Sequence, residues 1–176
     1  GLTFHEMRSR GTAAPLLILA VLFGYLFLVA QYESWTIPLP VMLSVAAAVL
    51  GALIGLQIAG LPLSVYAQLG IVLLIGLASK NAILVVEFSK EKHERDGFSV
   101  WTAALNGASE RFRAVIMTAL TFILGILPLV WAVGAGAGSR RAIGTTTFAG
   151  MLLATIVGIM FVPGLYVLFQ LMREKV

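Results

Sequence analysis

Five long hydrophobic runs, separated by short polar segments, dominate the pattern of this 176-residue chain. A helix needs about 20 residues to cross the hydrocarbon core of a bilayer, and each run is close to that length or exceeds it. Because lipid cannot hydrogen-bond an irregular backbone, such runs are predicted to be helices and not strands. The predicted fold class is an all-α membrane protein with five transmembrane helices, at Thr12–Ala30, Val41–Ala59, Ser64–Phe88, Ala114–Val133 and Ala142–Leu171.

The segments between the runs contain turn formers and helix breakers. Gly60-Leu61-Pro62 predicts a tight turn, and the five residues Gly134-Ala-Gly-Ala-Gly138 predict a flexible loop. Pro163 predicts a kink in the fifth helix. Residues 1–11 are polar, lack an initiator Met and are not a signal peptide, so we expect the chain to be cut from a longer one. Residues 172–176 are a polar tail.

A short amphipathic helix is predicted between the third and fourth runs, at residues 98–112. Its apolar residues recur at helical spacing, at Trp101, Ala104, Leu105, Ala108 and Phe112. A helix of this kind lies on the membrane surface, with its aromatic side chains at headgroup depth. Tyr32, Trp35 and Trp131 are expected at the same depth at other span ends. The simpler interpretation of this element is an interfacial anchor without chemistry.

Composition and charge support a membrane protein. The chain is 60% hydrophobic and 11% charged, whereas soluble domains are about a quarter charged. Its net charge of +4 lies mostly beside the hydrophobic runs, so it indicates membrane topology and not nucleic-acid binding. One side carries seven cationic residues: Lys90, Lys92, Arg95, Arg111, Arg113, Arg173 and Lys175. The other carries four: Arg8, Arg10, Arg140 and Arg141. The C-terminus is therefore predicted to be cytoplasmic.

Lys80 is the most informative residue, because it lies inside an otherwise apolar run. If Glu87 marks the end of the span, Lys80 lies seven residues inside, which is about 10 Å at 1.5 Å per residue. One interpretation is a lysine that extends to the membrane surface. The favoured one is a lysine paired with a carboxylate inside a helix bundle. Gly76 lies on the same helical face and would give Lys80 room.

Few other polar residues lie in the spans. Arg111 and Thr118 are seven apart and therefore share a helical face. The Thr118 hydroxyl either passes a proton, or holds a water that does, or bonds back to its own helix carbonyl. Arg111 alone suggests a surface anchor. Asn81 and Glu87 are possible supporting groups. Thr145–Thr147 are expected to cap or solvate the fifth span, and His5 and His93 to be ordinary surface histidines. Without cysteine, and without ligand spacing around its histidines, the chain suggests no metal site.

Small residues at four-residue steps predict close helix packing. They form one ridge on the second run, at Ala47, Gly51 and Gly55, and another on the fifth, at Gly150, Ala154 and Gly158. Such ridges indicate helices buried against neighbours, but they leave open which helices touch.

The residues from Gly76 to Phe88, GLASKNAILVVEF, resemble the lysine-bearing tenth membrane helix of resistance-nodulation-division (RND) multidrug efflux transporters of the hydrophobe/amphiphile branch. Further similar strings are QYESW, RFRAVIMT, FILGILPL, GAGAG and IGT, at residues 31–35, 111–118, 122–129, 134–138 and 143–145. Residues 1–6 resemble the end of the family's second large periplasmic region, so residues 1–11 are expected to be periplasmic.

The resemblance implies the C-terminal portion, helices eight to twelve, of a twelve-helix pump in the bacterial inner membrane. Such pumps are homotrimers that export hydrophobic and amphiphilic compounds, driven by the proton gradient and without a cofactor. They work with a periplasmic adaptor and an outer-membrane channel. The lysine matching Lys80 pairs with two aspartates on the fourth helix, and the residues matching Arg111 and Thr118 belong to the same proton relay. No role is carried over for Asn81 or Glu87.

The relay aspartates, which the resemblance places in the N-terminal half of the pump, have no counterpart in this chain, where only Glu87 among the acidic residues lies at a span edge. The drug-binding regions of the family are also outside it. The isolated chain is therefore expected not to transport, and proton-coupled drug efflux by reconstituted chain would contradict this. Alternatives are a truncated membrane-assembly fragment and the metal-exporting branch of the same superfamily. An enzyme is disfavoured, since no nucleophile with a nearby base, HExxH or phosphate loop is present.

Overall fold

Five α-helices form the structure, a computed structural model that describes the backbone of residues 2–175 and the side chains of residues 14–172, 174 and 175. The helices are α1 (Leu2–Tyr32), α2 (Leu39–Ile58), α3 (Val65–Glu94), α4 (Val100–Val130) and α5 (Ala137–Glu174). Each contains a stretch long and apolar enough to cross a membrane, and the described backbone contains no strand. The predicted all-α fold with five such helices is confirmed.

Local sequence explains where the helices begin and end. The Ser64 and Ser99 hydroxyls accept hydrogen bonds from the first turns of α3 and α4, at 3.3 Å each. After α2, Gly60 adopts a φ of 66°, and the Leu61 amide donates to the Leu56 carbonyl at 3.0 Å. This hydrogen bond closes a left-handed helix end that favours glycine. The tight turn predicted there is confirmed.

The predicted surface helix and fourth span are one continuous helix, α4, of 31 residues. At 1.5 Å per residue it is about 46 Å long, more than the roughly 30 Å hydrocarbon core. The separation expected at Arg113 is wrong, because Ala114 favours helix and neither Pro nor Gly lies nearby. Trp101 is exposed, as an interfacial anchor requires, whereas Tyr32 is 4% exposed and packs on α3.

The central helix of the bundle is α5, which packs against α2, α3 and α4. It begins at Ala137, and the Arg140 guanidinium donates to the Val133 and Ala135 carbonyls, at 3.2 and 2.6 Å, in the loop that precedes it. Thr146 and Thr147 are completely buried, and their hydroxyls donate to carbonyls one turn earlier. The expectation that these threonines solvate a helix end is therefore wrong.

The two small-residue ridges face each other between α2 and α5. A methyl group at Gly51 would lie 2.7 Å from Leu153 Cβ and 2.9 Å from the Ala149 carbonyl oxygen. One at Gly150 would lie 2.9 Å from the Ala48 carbonyl oxygen. Backbones this close require glycine, which is the packing mode that membrane helices use where apolar burial between helices gains little.

The α3–α4 turn and the end of α5 lie at the same end of the bundle. The Nε2 atom of His93 is 2.7 Å from Glu174 Oε1, and its Nδ1 atom is 2.8 Å from the Phe98 carbonyl oxygen. Lys92 bridges Asp96 and Glu110, at 3.3 and 3.1 Å. His93 thus pairs with Glu174 at the surface of the bundle; the His5 side chain lies outside the described residues.

Candidate functional site: a cationic groove between α3 and α4

A groove of about 540 Å³ runs between α3 and α4 and is lined by four polar residues that the sequence singled out on these two helices. Lys80 and Asn81 enter it from α3, and Arg111 and Thr118 from α4. The remaining lining is mostly apolar: Leu77, Leu84, Ala114, Val115, Met117, Thr121, Phe122 and Met151. The fold therefore brings Lys80, Arg111 and Thr118 into one site, as their expected common role requires.

Lys80 is exposed in this groove and makes neither a hydrogen bond nor an ion pair with the described side chains. The carboxylate partner favoured from the sequence is thus not supplied by the described part of this chain. Gly76, one turn earlier, also faces open space, with no atom within 4 Å of where a Cβ would lie. The space around Lys80 is thus open on this side of α3, and whether Gly76 provides room for the lysine stays a prediction.

Arg111 is half-buried, and its guanidinium carbon lies 3.7 Å from the centroid of the Phe88 ring. This is a cation–π contact between α4 and α3. The contact lies beside a close helix crossing: a methyl group at Gly107, one turn before Arg111, would lie 2.7 Å from the backbone nitrogen of Ser89, the residue after Phe88. A surface anchor would extend into water, whereas this arginine packs on an aromatic ring of a neighbouring helix.

The Thr118 hydroxyl donates to the Ala114 carbonyl and lies 3.3 Å from the Val115 carbonyl oxygen. Of the two interpretations drawn from the sequence, the structure has the one in which the hydroxyl bonds back to its own helix. The side chain is nevertheless exposed in the groove. Its oxygen retains lone pairs that can accept a hydrogen bond from a water molecule or from a protonated group.

The two possible supporting residues lie in different places. Asn81 is half-buried and lines both the groove and a neighbouring apolar cavity of about 360 Å³. Glu87 is exposed outside the groove, in a polar pocket with Gln31, Tyr32 and Lys90 at the α1 side of α3. Seven helical residues separate Glu87 from Lys80 by about 10 Å along the axis. Glu87 therefore does not line the cationic groove.

The groove combines two cations with an apolar wall. Among the described residues that line it, none is a carboxylate. A lysine ammonium in an apolar membrane interior is unfavourable unless a partner neutralises it or water reaches it. The electrostatics of this face therefore favour an acidic group or water beside Lys80 and Arg111.

Phe88 is the residue that the sequence reasoning missed. It ends the GLASKNAILVVEF string, but an aromatic residue at a span end predicts only packing or an interfacial position. Its role as the surface on which Arg111 packs depends on the crossing of α3 and α4, and no local pattern around either residue signals it.

Residues 1–170 of the chain match the sequence model of the AcrB/AcrD/AcrF family. The toluene efflux pump membrane transporter TtgB of Pseudomonas putida is 48% identical over 167 residues, covering 95% of this chain and 16% of that protein. The solvent-resistant pump membrane transporter SrpB of Pseudomonas putida is 43% identical over 181 residues, covering 99% and 17%. The multidrug resistance protein MdtF of Escherichia coli (strain K12) is 43% identical over 170 residues, covering 97% and 16%. The chain thus spans about one sixth of these relatives.

Proposed function

Because this chain belongs to the AcrB/AcrD/AcrF family of RND efflux transporters, we propose that it supplies the cationic half of the proton relay that drives the complete pump. The observation that carries this proposal is the single groove lined by Lys80, Arg111 and Thr118. The pump as a whole would export hydrophobic and amphiphilic compounds. The relatives named for toluene, solvent and multidrug resistance support this substrate class over metal ions.

In this mechanism, Lys80 faces the two relay aspartates that the family resemblance assigns to the N-terminal half of the pump. When the aspartates are ionised, the Lys80 ammonium pairs with them and neutralises the pair within the membrane. Protonation of the aspartates removes that attraction and releases Lys80. Arg111 keeps a permanent positive charge in the groove, because a guanidinium does not lose its proton in proteins.

Thr118 has a narrower task in this mechanism. Its hydroxyl proton is engaged by the Ala114 carbonyl, so its oxygen is left as an acceptor on the groove side. It would hold a water molecule or a protonated group near Lys80. No cofactor enters the scheme, since the proton gradient supplies the free energy for export.

The proposed assembly follows from the family. The chain would form membrane helices eight to twelve of each protomer of a homotrimer in the bacterial inner membrane, with its C-terminus in the cytoplasm. A periplasmic adaptor and an outer-membrane channel would complete the export path. The contact between His93 and Glu174 supports a common side for the α3–α4 turn and the C-terminus. The excess of cationic residues at that end supports the cytoplasm.

Arg111→Ala in the complete pump tests this proposal, with Arg113→Ala as the matched control. Both variants remove one arginine from α4, but Arg113 is exposed and does not line the groove. Arg111→Ala is expected to lower proton-driven efflux at least tenfold at equal trimer content, because it removes a fixed charge from the relay. Arg113→Ala is expected to keep near-normal efflux. Equal efflux by the two variants, measured with a fluorescent substrate in energised cells, would contradict a relay role for Arg111.

The alternative, a truncated fragment that packs in the membrane without transporting, uses the same close contacts between α2 and α5. Co-expression with the N-terminal half of a pump of this family separates the two functions. Restored efflux from the two halves supports the relay function, whereas assembly of the halves without efflux supports the fragment.

A further inference from the structure

The Phe88 ring and the Arg111 guanidinium form the closest aromatic–cation contact in the described part of the chain, at 3.7 Å from guanidinium carbon to ring centroid. Cation–π attraction operates within about 6 Å of a ring centroid. An arginine side chain has several rotatable bonds, so a free guanidinium at this point could turn into the groove or towards the membrane surface. The ring restricts this freedom by covering one side of the guanidinium.

Hydrogen bonds do not explain the position of Arg111. Its Nε atom is buried and has no hydrogen-bond partner among the described residues. No described carboxylate lies within ion-pair distance of it either; the nearest acidic neighbour in sequence, Glu110, pairs with Lys92 at 3.1 Å. A buried N–H without a partner is unfavourable. Packing on Phe88 is therefore the contact that holds this side chain.

One close contact between the backbones of α3 and α4 positions both Phe88 and Arg111. Gly107 on α4 lies against Ser89 on α3, where a side chain at Gly107 would meet the Ser89 backbone nitrogen at 2.7 Å. Arg111 follows Gly107 by one turn, and Phe88 precedes Ser89 by one residue. The ring thus lies at a close helix crossing, and this crossing sets the direction from which the ring contacts the guanidinium.

We propose that Phe88 is a positioning residue of the proton relay: its ring holds the Arg111 charge in the cationic groove at a set distance from Lys80 and from the acidic groups that meet them. Phe88 carries no proton itself. The inference rests on the proposed function, since it concerns the charge that Arg111 supplies there. It adds an aromatic positioning residue to the charged and hydroxyl groups proposed for the relay.

Phe88→Leu in the complete pump tests this inference, together with Phe88→Tyr. Leucine keeps an apolar side chain but removes the ring, and is expected to lower proton-driven efflux about two- to tenfold, as expected for the loss of a cation–π contact. The pH of half-maximal efflux is expected to rise, because acidic groups that lose a nearby cation hold their protons to higher pH. Phe88→Tyr keeps the ring and is expected to retain both the rate and the pH profile.

Phe112→Leu is the matched control, since it removes a ring from the residue next to Arg111 and no described cation lies over that ring. Full efflux in Phe88→Leu would overturn the inference. So would a lowered rate with an unchanged pH profile, or an equal loss in Phe88→Tyr, because each indicates a structural role only. If Phe88→Leu prevents trimer formation, Phe88→Met is measured in its place by the same criteria.

Arg111→Ala, measured in parallel, separates this inference from the proposed function. Loss of efflux in Arg111→Ala with normal behaviour of Phe88→Leu overturns the positioning role and leaves the relay intact. Normal efflux in Arg111→Ala overturns the relay role of Arg111, and the positioning role with it.

Discussion

Replacing Lys80 with methionine in the complete pump is expected to abolish proton-driven efflux at normal expression and trimer content. Methionine has a similar length and lies well in an apolar groove, so the substitution removes the ammonium and little else. Without that ammonium, the acidic groups expected to face the groove lose their cationic partner. Their protonation then has no lysine to release. Efflux of a fluorescent substrate by energised cells, with the trimer quantified after purification, measures the effect.

Lys90→Met is the matched control for charge. It removes a lysine from the same helix, but Lys90 lies outside the cationic groove, beside the ring of Tyr32 at 5.7 Å. This variant is expected to keep most of the efflux. Unchanged efflux in Lys80→Met would mean that Lys80 only extends to water from its exposed face of α3, and the proposed relay would lose its central residue.

Gly51→Val is expected to disrupt the packing of α2 on α5 and lower the thermal stability of the complete pump strongly. Its Cβ would approach the Ala149 carbonyl oxygen within 2.9 Å, and a backbone atom cannot move aside as a flexible side chain can. Overpacking of this kind costs about 1–3 kcal/mol, and more where the backbone must shift. Size-exclusion chromatography of heated, detergent-solubilised trimer measures the loss.

Gly24→Val on α1 is the matched control, because it makes the same change within a helix but has no described atom within 4 Å of the new Cβ. The intrinsic cost of valine in a helix is then common to both variants. If Gly51→Val is as heat-resistant as Gly24→Val, the close α2–α5 crossing is not the arrangement in the assembled pump.

The sequence predicted the existence of the helices better than the residues at which they begin and end. Apolar runs located all five helices, since the free energy of transferring a run into lipid is a sum over its own residues. The break expected near Arg113 was wrong because the change from amphipathic to apolar pattern marks a change of surroundings, while the backbone continues as a helix through Ala114. The composition of a segment indicates the environment of a helix. The ends of the helix are indicated only by capping residues and by helix breakers such as Pro and Gly.

The site was predicted in part. Helical spacing placed Arg111 and Thr118 on one face of α4, and the charge of Lys80 within an apolar run indicated function. Lys80, Arg111 and Thr118 line one groove because of the way α3 and α4 cross. The close contact between Gly107 and Ser89 sets this crossing. Glu87 shares a helical face with Lys80 by spacing, yet it lines a pocket at the α1 side. Residue spacing shows which side chains share a face of one helix, but not which neighbouring helix that face contacts.

The sequence by itself determined the membrane class, the five helices, the family resemblance and the candidate residues Lys80, Arg111 and Thr118. All of these follow from local composition, periodicity and motif order. The tertiary structure decided that the ridges of α2 and α5 meet, that Arg111 packs on Phe88 and that Thr118 bonds to its own helix. These contacts join residues from different helices or select one rotamer, so they depend on helix rotation and crossing, which only the packing of the whole bundle determines.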